Sequence, residues 1–174
     1  MSSVHGVDVP AVSNWLQAHV AGAVAPFAFD IIAGGHSNLT YSVTDSTGRR
    51  WVLRRPPLGQ VLATAHDMAR EHRIMAALAP TVVPVPSIVG LCEDTGVNDA
   101  PFFVMDFVEG LVIRDAASAE ALEPALRTRA CDQLIDTLVA IHQVDVGAVG
   151  LGTLGRKEGY VARQLKRWRS QYEQ

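Results

Sequence analysis

Short runs of β-branched and aromatic residues, separated by turn sequences, dominate the region between residues 26 and 108. Such runs are typical of β-strands when glycine, proline, asparagine or aspartate bounds them. Five of them occur, at residues 27–32, 39–44, 50–54, 88–92 and 102–108. Because short turn sequences join neighbouring runs, the strands are expected to pair in antiparallel fashion. The pattern predicts a five-stranded antiparallel sheet.

Apolar residues spaced three and four positions apart predict four helices around this sheet. One precedes the sheet, and a second, around Glu71, lies between the third and fourth strands. Thr64 and Asp67 resemble a capping box at the start of this second helix. The other two helices follow the sheet, one beginning near Pro124 and one covering residues 160–172.

The order of these elements indicates an α+β fold rather than a parallel sheet with alternating helices. Strands dominate up to residue 108 and helices dominate after it, so we expect two parts, residues 1–108 and 109–174. The apolar pattern of the last helix runs to the end of the chain without a C-cap glycine. We therefore expect the 174 residues to be a fragment of a longer protein.

Composition and charge narrow the range of partners. The chain has 48% hydrophobic and 19% charged residues, which is typical of a globular protein rather than a disordered one. Its net charge of −3 provides no overall basic field for nucleic acid, and no apolar run approaches the length of a membrane span. Its two cysteines lie outside any C-x-x-C motif, as expected for reduced thiols. We therefore expect a cytoplasmic protein without a nucleic-acid or membrane partner.

A glycine-rich turn between the first two strands is the first candidate for chemistry. Its sequence is Gly34-Gly35-His36-Ser37-Asn38. Because glycine has no side chain, backbone N–H groups in such a turn can approach a phosphate closely. A plain hairpin or β-bulge is the alternative interpretation of two glycines between strands. The segments that follow the turn are needed to choose between the two.

Those segments follow in the order that kinases use. Residues 51–54 resemble the kinase strand that carries the phosphate-binding lysine, Glu71 falls on the next helix, and residues 103–110 resemble the strand that leads into the hinge. The chain resembles the aminoglycoside-phosphotransferase-like kinases, in particular the branch that is fused to acyl-CoA dehydrogenases in animals. The segments that carry this resemblance are Leu53-Arg54-Arg55-Pro56-Pro57, Arg70-Glu71-His72, Val83-Pro84-Val85-Pro86, Pro101-Phe102-Phe103-Val104-Met105 and Arg163-Gln164-Leu165-Lys166-Arg167-Trp168.

The resemblance implies a kinase-like N-lobe that binds ATP, followed by the first helices of an α-helical C-lobe. It assigns the glycine-rich turn, from Gly34 to Asn38, to the triphosphate of the nucleotide. Met105 would border the adenine pocket. The backbone groups that would face the base belong to Asp106, Phe107 and Val108.

Arg54 stands where most kinases place a lysine, and the resemblance pairs it with Glu71. A guanidinium stays charged and can bridge a carboxylate and a phosphate, so the electrostatic role is retained. Because side chains alternate along a strand, only one of Arg54 and Arg55 can face the cleft. We expect Arg54 to do so and to lie within salt-bridge distance of Glu71. The alternatives are two surface arginines and a solvated helix glutamate.

The catalytic loop of this family, His-Gly-Asp-x-x-x-x-Asn followed by a magnesium-binding aspartate, is absent from the sequence. The closest string, residues 142–145, has the wrong spacing. We therefore assign no catalytic or metal-binding residue in this chain and expect the magnesium ligands beyond Gln174. The resemblance implies a kinase that uses ATP and Mg²⁺ to phosphorylate a hydroxyl group of a small molecule. A non-catalytic module that binds nucleotide or a protein partner is the alternative.

Two other motifs admit different interpretations. Residues 150–155 match G-x-G-x-x-G, but a predicted helix precedes them and no strand pattern follows, which argues against a dinucleotide site. Arg163, Lys166, Arg167 and Arg169 form a basic face on the last predicted helix. Such a face is usually solvated, and the alternative is attraction of an anionic or coenzyme-A-bearing substrate.

Overall fold

A computed structural model of the chain describes residues 4–32, 38–59, 66–155 and 158–173. Five strands and six helices occur in these ranges. The strands are β1 (Ala28–Ile31), β2 (Leu39–Thr44), β3 (Arg50–Arg55), β4 (Ile88–Cys92) and β5 (Phe102–Asp106). The helices are α1 (Val9–His19), α2 (Met68–Leu78), α3 (Thr95–Asn98), α4 (Ala116–Glu120), α5 (Pro124–His142) and α6 (Tyr160–Tyr172).

The five strands form one antiparallel sheet in the spatial order β1-β2-β3-β5-β4. At the centre of this sheet, Leu53 of β3 lies opposite Tyr41 on one side and Val104 on the other. The predicted sheet and the α+β class are confirmed. The largest boundary correction is at β5, which ends at Asp106, so residues 107–108 lie beyond the strand; the observed β1 is one residue shorter than predicted at each end, and the observed β3 is one residue longer at its end.

One face of the sheet packs against α1 and forms the core. The Asp8 side chain caps this helix by accepting a hydrogen bond from the backbone N–H of Ala11. Val12 and Leu16 project from α1 and are fully buried, as is Tyr41 on the sheet. Alternate residues of the central strands point towards this helix, since side chains alternate between the two faces of a strand.

The opposite face of the sheet is more polar and carries α2, which packs on β4 and β5. Cross-strand partners share a face of the sheet. The residues of this face form two rows, Thr40, Arg54 and Phe103 in one, and Ser42, Val52 and Met105 in the next. The His72 ring of α2 contacts the Phe103 ring edge to face, with 6.4 Å between the ring centroids. This contact fixes α2 over the polar face.

The predicted start of α2 is corrected by the structure. Asp67 is the N-cap itself, and its Oδ1 accepts a hydrogen bond of 2.9 Å from the backbone N–H of Arg70. A capping box with Thr64 would instead require Asp67 at the third helical position; Thr64 lies outside the described residues. The segment between β4 and β5 contains the one-turn helix α3, which Asp94 caps and which is not among the four predicted helices.

Helices α5 and α6 confirm the two helices predicted after the sheet, and both carry exposed apolar residues. Leu134 of α5 is 70% exposed and Trp168 of α6 is 60% exposed. Contiguous apolar surface of this kind usually marks a contact with another part of a protein or with a partner. Among the described residues, no helix combines the length and apolar character that crossing a bilayer requires.

Candidate functional site

Two adjacent arginines at the end of β3 point to opposite faces of the sheet. The Arg54 side chain lies on the polar face and is 32% exposed, whereas Arg55 lies on the core side and is 5% exposed as a whole residue. The strand alternation expected from the sequence is therefore present, and Arg54 is the arginine that faces α2. The alternative of two surface arginines is wrong.

The predicted ion pair between Arg54 and Glu71 is present in the structure. Nε of Arg54 donates to Oε2 of Glu71 over 2.8 Å, and each side chain is about one-third exposed (32% and 33%). Neither terminal nitrogen of Arg54 has a hydrogen-bond partner within the described ranges. The guanidinium is therefore oriented by one nitrogen and keeps two others for a further acceptor.

The position of Glu71 follows from the way α2 begins. Its backbone N–H donates to the Asp67 carbonyl over 3.1 Å, so Glu71 lies in the first turn of the helix. A carboxylate in this turn is stabilised by the positive end of the helix dipole. Met68, one turn earlier on the helix, is 1% exposed and anchors the same turn in the protein interior.

Asn38 and His66 complete a hydrogen-bonded group around Glu71. Nδ2 of Asn38 donates to Oε1 of Glu71 over 2.8 Å, and Oδ1 of Asn38 lies 2.6 Å from Nδ1 of His66. We call Arg54, Glu71, Asn38 and His66 the Glu71 cluster. Sequence reasoning placed Asn38 on the triphosphate and assigned no role to His66, so it missed this arrangement. The other four residues of the predicted phosphate turn, Gly34, Gly35, His36 and Ser37, lie outside the described residues.

The segment predicted to hold adenine follows the end of β5. Met105 shares the polar face with Val52, its cross-strand partner two residues before Arg54. Val52 was not selected from the sequence, although strand alternation places it on the same face as Arg54. Asp106 is the last residue of β5, and its backbone N–H donates to the Ser87 carbonyl over 2.9 Å. That N–H is therefore already used.

An arginine at the start of β3 holds the chain beyond β5. The Arg50 guanidinium stacks on the Phe107 ring, 3.6 Å from its centroid, and donates to Oε1 of Glu109 over 2.7 Å. The ring of Phe107 is thus covered on one side by protein. Val108 is 66% exposed. The base contact expected from the backbone groups of residues 106–108 stays a prediction.

Arg55 has a structural role on the core side. Nη1 donates to the carbonyls of Gly6 and Asn98, and Nε donates to the carbonyl of Pro56. Burial lowers the pKa of the Arg55 guanidinium, and the nearby Tyr41 and Asp99 act to raise it. The side chain therefore ties the segment before α1 and the end of α3 to β3.

The described residues match neither a cluster of metal ligands nor a dinucleotide fingerprint. Within the described ranges, no group of three or more histidine, cysteine, aspartate or glutamate side chains could hold a metal ion. We therefore assign no magnesium ligand among these residues, and we derive no step through the ion. Residues 150–155, the G-x-G-x-x-G match, lie between α5 and α6 rather than between a strand and a helix. That context does not match a dinucleotide fingerprint.

Comparison with known proteins identifies the family. Residues 29–174 match the sequence pattern of the phosphotransferase enzyme family, APH. The chain belongs to this family. The matched range covers nearly the whole sheet and every element that follows it, including the Glu71 cluster.

Relatives with curated names include two acyl-CoA dehydrogenase family members. The chain is 38% identical to family member 10 of Mus musculus over 90% of this chain and 14% of that protein. It is 37% identical to family member 11 of Gallus gallus over 81% of this chain and 18% of that protein. The chain thus spans less than a fifth of either relative.

A solved structure gives the same result for the fold. The crystal structure of a Ralstonia eutropha protein assigned as an aminoglycoside phosphotransferase superposes with a TM-score of 0.74 and 36% sequence identity. The match covers 95% of this chain and 47% of that one. The resemblance drawn from the sequence is confirmed at the level of family and of fold.

Proposed function

We propose that this chain supplies the nucleotide-binding part of an ATP-dependent phosphotransferase that phosphorylates a hydroxyl group of a small molecule. One observation carries the proposal: Glu71 holds Arg54 through Nε, and both terminal nitrogens of Arg54 remain without a partner in the described part of the chain. A guanidinium presented in this way matches the oxygens of a phosphate. Membership of the phosphotransferase family supports this assignment.

Within this proposal, the residues of the chain bind and orient the nucleotide. The partly exposed Arg54 guanidinium keeps its charge on the polar face near the end of β3, where a phosphate can replace water around it. Val52 and Met105 supply apolar surface for a base on the same face. Arg50 and Glu109 hold the backbone of residues 107–108 beside this surface. These contacts position ATP and perform no bond-breaking step.

The sequence limits what this chain does by itself. The 174 residues contain no His-Gly-Asp-x-x-x-x-Asn loop, so the group that would accept the hydroxyl proton is absent from them. We propose that the transfer needs residues outside this sequence. A non-catalytic nucleotide-binding or protein-interaction module is the second candidate, favoured by this same absence.

Two proteins distinguish these candidates: the 174-residue chain and the product of its complete gene. We expect the chain to bind MgATP weakly or not at all and to transfer no phosphate above background. We expect the complete gene product to transfer label from γ-³²P-ATP to members of a panel of sugars, amino alcohols, aminoglycosides and hydroxyacyl-coenzyme A compounds. The substitution Arg54→Met should weaken its MgATP binding about 10- to 100-fold, the value of one or two charge-assisted hydrogen bonds.

Three results would contradict the proposal. If the complete gene product binds MgATP but labels no acceptor, the non-catalytic module is correct. If it binds no MgATP, both candidates fail as nucleotide-binding proteins. If the 174-residue chain alone consumes ATP in the presence of a hydroxyl acceptor, catalytic groups lie among residues to which we assign no catalytic role.

A further inference from the structure

Asn38 is buried between two polar side chains of other elements. It is 5% exposed, is the last residue of the predicted glycine-rich turn, and contacts Glu71 of α2 and His66 just before α2. Thirty-three residues separate Asn38 from Glu71 and 28 separate it from His66. A buried amide of this kind is costly unless its donors and acceptor are paired. Its contacts therefore decide how the side chain is oriented.

The direction of each hydrogen bond follows from the chemistry of Glu71. A carboxylate only accepts, so the amide nitrogen of Asn38 must face Glu71 and its oxygen must face His66. An amide oxygen also only accepts, so Nδ1 of His66 must carry a proton. The cluster thus requires the Nδ1–H form of this ring, or its doubly protonated form.

The same hydrogen bonds determine how Arg54 binds Glu71. Oε1 of Glu71 is occupied by Asn38, and Oε2 is occupied by Nε of Arg54. If Asn38 were absent, the carboxylate could turn and accept two parallel hydrogen bonds from the guanidinium, the arrangement that arginine and carboxylate favour. One terminal nitrogen of Arg54 would then be taken up by Glu71. Asn38 competes with that arrangement.

We propose that Asn38, held by His66, is a positioning residue that keeps Arg54 in a single-point contact with Glu71 and so leaves its terminal nitrogens free for phosphate. The part that concerns phosphate rests on the proposed function. The assignment also changes the role expected from the sequence, because the Asn38 side chain acts through Glu71 rather than on the nucleotide.

Nuclear magnetic resonance tests the positioning without any nucleotide. Long-range ¹H–¹⁵N spectra of the protein should show His66 protonated at Nδ1, and the Arg54 Nε–H signal should be resolved and slow to exchange. In Asn38→Leu, the Arg54 Nε–H signal should shift and His66 should lose its preference for Nδ1. A matched control is Asn98→Leu, which removes another buried amide, 3% exposed, on the core side. The Arg54 signal should not move in that variant.

Nucleotide affinity tests the consequence in the complete gene product. Asn38→Leu should weaken MgATP binding about tenfold, the value of one hydrogen bond to a charged group, and Asn98→Leu should leave it nearly unchanged. The double variant N38D/E71Q exchanges donor and acceptor, since the amide introduced on α2 would then donate to the carboxylate introduced at position 38. It should recover part of the affinity that N38D alone loses.

The outcomes separate this inference from the proposed function. An Arg54 Nε–H signal that is the same in Asn38→Leu and in the unaltered protein overturns the positioning role, whatever the affinity for nucleotide. Equal loss of affinity in Asn38→Leu and Asn98→Leu overturns it too, because the effect would then be a general loss of stability. If the unaltered protein binds no MgATP while the signals change as expected, the positioning of Arg54 stands and the proposed function fails.

Discussion

The substitution Arg55→Met should destabilise the fold strongly, whereas Arg54→Met should affect stability little and nucleotide binding strongly. The two arginines are neighbours in sequence, and the same change removes the same charged group at both positions. Arg55 is 5% exposed and Arg54 has a side chain that is 32% exposed. Each variant is therefore the control for the other.

The magnitude for Arg55 follows from its three acceptors, the carbonyls of Gly6, Pro56 and Asn98. A buried group left without its partner costs about 1–3 kcal/mol. Methionine fills part of the volume of the arginine side chain, and the segment around Gly6 can open to water. We therefore expect Arg55→Met to lower the free energy of unfolding by about 3 kcal/mol, less than the sum for three unpaired carbonyls. For a chain of this size that corresponds to a fall in Tm of roughly 6–12 °C. Loss of the partly solvated Arg54–Glu71 pair should cost at most about 1 kcal/mol.

Urea denaturation followed by tryptophan fluorescence measures the loss of stability in each variant, since Trp51 is 2% exposed and lies on the core side. Titration of the complete gene product with MgATP measures the loss of nucleotide affinity. Equal losses of stability in the two variants would refute the assignment of the arginines to different faces. A greater loss of affinity in Arg55→Met than in Arg54→Met, at a temperature where both are folded, would show that Arg55 binds the nucleotide.

Three further outcomes can be checked. Burial acts to raise the pKa of Asp45, but hydrogen bonds from nearby amide and hydroxyl groups outweigh burial and lower the pKa overall. The ionised carboxylate therefore stabilises the fold above about pH 4, and this stabilisation is lost as the pH falls further. In Asp45→Asn, the free energy of unfolding should therefore fall less steeply as the pH is lowered below about 4. Cys131 is exposed, whereas Cys92 is buried and burial raises the pKa of its thiol. A thiol reagent should therefore label Cys131 in the native protein and Cys92 only on unfolding. Rapid labelling of both cysteines in the native protein would contradict this difference. Gly90→Ala should lower the free energy of unfolding by about 1–3 kcal/mol, because the added Cβ would lie 3.0 Å from the Trp15 ring. If urea denaturation shows no loss of stability, the Trp15 ring moves away without cost.

The sequence alone determined the five strands, four of the six helices, the fold class and the family. The periods of strands and helices depend on the local alternation of apolar and polar residues. Both ends of β2 and of β4 were therefore predicted correctly, and the predicted end of β3 was one residue short. Strand alternation also showed that only one of Arg54 and Arg55 could face the cleft. The sequence did not determine the start of α2, because more than one residue before it could act as a cap, and the structure selected Asp67.

The tertiary structure decided how these residues are used. Local patterns do not show which helix covers which face of a sheet, and that packing is what brings Arg54 to Glu71 and Arg55 to the carbonyls of Gly6 and Asn98. The contacts of Asn38 join residues that are far apart in the chain, so no spacing in the sequence indicates them. Asn38 was therefore assigned to a phosphate by its neighbours in sequence, whereas its neighbours in space assign it to Glu71. Side-chain hydrogen bonds of this kind exist only after the sheet and α2 have packed, which is why the chain order could not reveal them.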